Sequence, residues 1–176
     1  MIILEPHIRQ LLAEDATNTF PDECCGFLFG REETDGTRIV LDILIVDNSK
    51  QGDKTRRFEI SPVDYMTAEQ HALDHDWTLL GVYHSHPKHP AIPSEHDRKA
   101  AQPYFSYVIV SVLEPSSTGQ PSLLAQLSSP DQPAPQPEAP DALTPDRAGY
   151  SVTFRSWLLN EEQQFEEEKI IDYQFT

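Results

Sequence analysis

The chain has 176 residues, enough for one domain with a substantial core. Its 29 acidic and 13 basic residues leave a formal net charge of −16, which repels nucleic-acid phosphates and removes DNA and RNA from the expected partners. No stretch is long and apolar enough to span a bilayer, and Met1–Pro6 has no basic region ahead of an apolar run, so the expectation is a cytoplasmic protein without a membrane anchor.

Pro6 suits the first turn of a helix predicted over 5–19, with Ile8, Leu11, Leu12 and Ala16 on one face. Pro21 blocks its continuation. Cys24 and Cys25 are sequence neighbours, a poor arrangement for a structural disulfide, and are expected as buried reduced thiols. Cys24–Gly30 is a short apolar run and reads as a buried strand. Arg38–Val46, rich in Ile, Val and Leu, reads as a second, and the turn Glu32–Gly36 pairs the two as a hairpin. The polar segment 47–57 is a loop, followed by a short predicted strand over 58–60.

Ser61 as cap, Pro62 at the first helical position and Asp64 three residues after the cap start a helix that runs to about His75. Thr78–Tyr83 is a predicted central strand leading directly into His84. Three prolines between Pro87 and Pro93 demand irregular backbone, and Ser94–Ala101 begins another helix. Tyr107–Leu113 is strongly β-prone, and Ser122–Leu127 offers a further strand. Glu114–Pro145 then holds eight of the 15 prolines, and 128–147 reads as a Pro-rich mobile surface insertion within a single domain spanning 1–176. Beyond it, Tyr150–Leu159 and Gln164–Tyr173 pair as a terminal hairpin, or Glu161–Ile171 forms a helix, which its Glu, Gln and Lys content favours. Helices interspersed with strands imply an α/β domain around one mixed sheet.

The chemistry concentrates in Gly81-Val82-Tyr83-His84-Ser85-His86-Pro87 and Ser94-Glu95-His96-Asp97. Histidines two residues apart at a strand end face the same side, so both imidazoles can converge on one ion. Ser94 can cap the next helix, which places Asp97 in its first turn, facing back toward the strand end. Two nitrogens and one oxygen suit Zn²⁺, and three protein ligands leave a fourth position open, as in catalytic sites. His-x-His alone is weak, and Ser-x-x-Asp alone is an ordinary capping box; the combination carries the assignment of His84, His86 and Asp97 as ligands of one zinc per chain. His89 and His96 lie nearby and read as rim residues.

This combination resembles the JAMM, or MPN+, metalloprotease family, whose signature of His-x-His-Pro followed by Ser-x-x-Asp is complete at His84, His86, Ser94 and Asp97. Glu23, in Pro21-Asp22-Glu23-Cys24-Cys25-Gly26-Phe27, takes the place of that family's upstream glutamate, and Phe58-Glu59-Ile60-Ser61-Pro62 is similar to it as well. The resemblance covers about residues 1–113 and implies a cytidine-deaminase-like α/β (JAB1/MPN) sandwich, a mixed central sheet flanked by helices. The Glu-Cys-Cys-Gly segment is most similar to the bacterial branch, associated with peptidases that act after the C-terminal Gly-Gly of a ubiquitin-like sulfur carrier protein. Eukaryotic relatives cleave ubiquitin from lysine.

The resemblance implies catalytic roles for Glu23 as the general base and for Ser94 as an oxyanion donor as well as a cap. Metal-free scaffolds of the family lack the ligands retained here, and RadC-like relatives carry Asn where this chain has Ser85. A zinc nucleobase deaminase would require a His-x-Glu with a Cys-x-x-Cys pair, which the chain lacks.

Overall fold

The computed structural model describes residues 1–115 and 149–171. The strand expected at Ser122–Leu127 and the insertion expected at 128–147 lie outside those residues. In chain order the elements are β1 (Ile2–Leu4), α1 (Pro6–Thr19), β2 (Cys25–Glu32), β3 (Arg38–Val46), α2 (Pro62–Asp74), β4 (Thr78–Pro87), α3 (Glu95–Ala100), β5 (Ser106–Leu113), β6 (Ser151–Leu159), β7 (Phe165–Glu168) and β8 (Ile170–Ile171). The strands form one mixed sheet in the order β7-β6-β5-β4-β2-β3-β1-β8, with helices on its flanks, as the α/β reading expects. No helix among the described residues is long and apolar enough to cross a membrane.

Each helix covers one face because strand side chains alternate. On the α1 face, Ile8, Leu12 and Ala16 pack with Leu28, Val40, Leu80 and Val108. On the α2 face, Ala68 and Ala72 pack with Phe27, Phe29, Val82 and Tyr107. Leu11, expected on the buried face of α1, is 38% exposed; Asp15 is buried instead, its Oδ2 accepting the Tyr83 hydroxyl at 2.7 Å.

A bulge in β4 decides where the histidines point. Leu28 pairs with Gly81 while Phe29 pairs with Leu79, so Leu80 is an extra residue in the ladder. Leu79 and Val82 consequently share the α2 face although they are three positions apart. Without that extra residue every later side chain of β4 would change face. With it, Tyr83 turns toward α1, while His84 and His86 follow Val82 to the other face. The glycine at position 81 is also required. A Cβ there would strike the Ser106 backbone, whose nitrogen would lie 2.7 Å away, just where β5 joins β4. Gly81→Ala is therefore expected to lose about 1–3 kcal/mol through overpacking, measurable as a lower urea midpoint.

Three expectations need correction. Residues 58–60 form no strand, although Ser49 N donates to Glu59 O at 2.9 Å. The helix considered for Glu161–Ile171 is absent: β6 and β7 form a hairpin closed by Asn160 and Gln164. The second arm of that hairpin is also shorter than Gln164–Tyr173, ending at Glu168. After Lys169 the chain crosses to the opposite edge of the sheet, where β8 pairs with β1 and Ile2 N donates to Lys169 O at 2.9 Å. One residue thus links the two outermost strands.

Candidate metal centre

His84 and His86 lie inside β4, which runs on to Pro87 and is longer than the Thr78–Tyr83 strand the sequence indicates. Their Nε2 atoms are 3.0 Å apart. Asp97, in the first turn of α3, brings Oδ2 to 3.8 Å from His84 Nε2 and 3.9 Å from His86 Nε2. One ligand atom from each of the three buried residues falls within 4.8 Å of the others.

Each side chain is held in place. Ser94 and Asp97 form a reciprocal capping box: Ser94 N donates to Asp97 Oδ2 at 2.6 Å, and Asp97 N donates to Ser94 Oγ at 3.2 Å. His86 Nδ1 meets the Pro90 carbonyl at 2.8 Å. A carbonyl can only accept, so Nδ1 carries the proton and Nε2 presents a lone pair to the site. The Pro-rich turn after β4 thus fixes a tautomer. His84 is held differently. Its Nδ1 is buried with no hydrogen-bond partner among the described residues, while Phe58 stacks on the ring at a centroid distance of 4.4 Å and an interplanar angle of 22°.

Electrostatics favour the ligating forms. Burial pushes both imidazoles below their ordinary range, so they are neutral at neutral pH. Burial alone would push the Asp97 carboxyl up, but the group is held below its ordinary range, its Oδ2 accepting the Ser94 N–H. Two nitrogens each ~2.0–2.1 Å from one tetrahedral zinc stand roughly 3.3 Å apart, close to the spacing of the two Nε2 atoms. The donor set, two neutral imidazoles and one carboxylate, fits a zinc-type cation.

Glu23 precedes β2 on the site face. Cys25 pairs with His84, and Ser85 N donates to Cys24 O at 3.1 Å, so the same register sets Glu23 opposite His86. Glu23 is 5% exposed, and burial, aided by the Asp97 carboxylate, pushes its carboxyl up to about 8. The cysteines are free and buried, as expected, and burial pushes the Cys25 thiol up to about 12, far from a reactive thiolate. His89 is exposed, and His96 lines a cavity of about 420 Å³ beside Asp97, together with Phe58, Tyr65, Val82 and Tyr107. Neither belongs to the ligand cluster. Sequence reasoning did not single out Phe58 or the Pro90 carbonyl. The Phe58-Glu59-Ile60-Ser61-Pro62 segment marked the former only as part of a resemblance, and a backbone carbonyl leaves no trace in residue type.

A mixed α/β sheet that presents a His-His-Asp cluster at the end of a central strand defines a class of potential metal-binding domains. Residues 5–123 match the family described as prokaryotic homologs of the JAB domain, and the chain belongs to that family. It is 30% identical over 97 residues to a desampylase from Pyrococcus furiosus, a match covering 55% of this chain and 63% of that relative's length. Among solved structures it is similar to a protein from Desulfitobacterium hafniense, with 27% identity, a TM-score of 0.69, and coverage of 99% of this chain and 94% of the other. A protein from Salinibacter ruber is also similar, with 28% identity, a TM-score of 0.60, and coverage of 98% and 92%.

Proposed function

We propose that this chain is a zinc metallopeptidase of the JAMM type, hydrolysing the peptide or isopeptide bond after the C-terminal Gly-Gly of a ubiquitin-like sulfur carrier protein. The observation that carries the reading is the convergence of His84 Nε2, His86 Nε2 and Asp97 Oδ2 within 4.8 Å, with Glu23 buried on the same face. Family membership and the desampylase relative support a hydrolase. His84, His86 and Asp97 would hold the zinc. Bound there, zinc supplies a Lewis acid and lowers the pKa of water toward ~7.

The protein's own groups do the rest. Glu23, as the carboxylate, takes a proton from the attacking water and returns it to the leaving amine, so that one water and one amide become a carboxylic acid and an amine, which part at neutral pH as carboxylate and ammonium. Ser94 sets Asp97 through the capping box and stands beside the site as an oxyanion donor. Phe58 and the buried strand backbone exclude solvent from His84. Gly-Gly before the scissile bond suits a buried centre, because a chain without β-carbons can approach it closely.

The test is mass spectrometry of a sulfur carrier bearing one cysteine after Gly-Gly, incubated with zinc-loaded protein. The expected result is loss of the attached residue, slowed progressively when the final glycine is changed to alanine and then valine. An intact adduct alongside cleavage of a lysine-linked ubiquitin dimer would replace the carrier reading with a deubiquitinase-like one.

A further inference from the structure

We propose that Asn48 is a positioning residue for Glu23, its carboxamide standing in for the β-ladder that has run out beneath the catalytic base. The inference rests on the reading of Glu23 as the base. The β2–β3 register pairs Cys25 with Val46, and continuing it two residues brings Glu23 opposite Asn48. No ladder is formed there; β2 begins at Cys25 and β3 ends at Val46. The Asn48 side chain fills the gap. Its Nδ2 donates to Glu23 O at 2.9 Å and to Arg57 O at 3.0 Å. Its Oδ1 accepts from Lys50 N at 3.0 Å and Glu59 N at 3.2 Å.

A carboxamide has two donor hydrogens and two acceptor lone pairs, and Asn48, 9% exposed, uses all four. The surrounding loop completes the hold. Lys54 Nζ donates to Asn48 O at 2.6 Å, and Lys54 O accepts Glu23 N at 2.8 Å. Both backbone polar groups of Glu23 are thus tied to residues 48–54. The same carboxamide grips Arg57 and Glu59 on either side of Phe58, the ring stacked on His84. One side chain therefore sets both the base and the ring that shields a ligand, without touching the site.

A misplacement of ~1 Å at a catalytic group can cost ~10²-fold in rate. Asn48→Ala is expected to keep its zinc and its KM and to lose roughly 10- to 100-fold in kcat. In a Glu23→Gln background the same change should cost at most about threefold, because there is no base left to misplace. Ser49→Ala removes a neighbouring bond from the same loop, Ser49 Oγ to Glu59 O at 2.8 Å, and should leave kcat unchanged. If Asn48→Ala does not fold, the near-isosteric Asn48→Asp keeps the acceptor, loses both donors and carries the same expectation.

A second measurement needs no substrate. Amide hydrogen exchange at Glu23 should accelerate at least about tenfold in the variant while the amides of β4 stay protected. Unchanged Glu23 protection overturns the inference whether or not any substrate is cut. Wild-type kcat in the Asn48 variants beside a disabled Glu23→Gln overturns it alone and leaves the proposed function standing. Wild-type kcat in Glu23→Gln overturns both.

Discussion

Glu23→Gln is expected to retain one zinc per chain and to lose ~10²- to 10⁴-fold in kcat, the usual range for removing a general base. The amide keeps the size and packing of a side chain that is 5% exposed, so the fold has no reason to respond. It cannot accept a proton from water. Glu23 is not among the three ligand groups, so metal content should separate loss of the base from loss of the ion. Zinc analysis and steady-state kinetics on the same preparation decide the matter. Full activity in this variant would remove Glu23 from the mechanism, and loss of zinc would make it a ligand instead.

The second large effect concerns the ligands. His84→Ala and Asp97→Ala should each reduce bound zinc from about one per chain to below roughly a tenth, because two remaining ligands hold a catalytic ion poorly. Asp97→Ala also removes one half of the capping box of α3, the bond from Ser94 N to Asp97 Oδ2, while the Ser94 cap on the residue 97 N–H survives. Thermal melts of the metal-free proteins therefore belong beside the metal analysis. An intact metal-free fold with no zinc uptake assigns the effect to ligation. His84→Ala removes no hydrogen bond from Nδ1, which makes it the cleaner of the two. Zinc retained at full stoichiometry in both variants would refute the assignment.

Where residue chemistry alone sets geometry, the sequence was legible. The period-two placement of His84 and His86 and the three-residue step from Ser94 to Asp97 are local constraints, and both reappear as a shared strand face and a capping box. Arg38–Val46 matches β3 residue for residue, since a β-branched run bounded by polar segments has few alternatives. The elements it hid were short or depended on partners. The three-residue β1 and two-residue β8 exist only through pairing with distant chain. Leu80 looked like any apolar strand residue, yet as a bulge it sets the face on which the site is built. Asn48 looked like one polar residue in a polar loop; its four bonds reach Glu23, Lys50, Arg57 and Glu59, a set visible only after folding.

The sheet order has a consequence for how any substrate reaches the His84-His86-Asp97 cluster. The strand bearing both histidines is interior, with β2 bonded along one side as far as His84 and β5 along the other as far as Pro87. An extended tail cannot dock by adding itself to that strand, because its backbone donors and acceptors are already taken. What remains is the face of the sheet, where Phe58, Val82, His96 and Asp97 line the cavity of about 420 Å³. Phe58, the ring stacked on His84, is therefore also part of that cavity's wall, so a side chain seated there would press first on the group that shields His84.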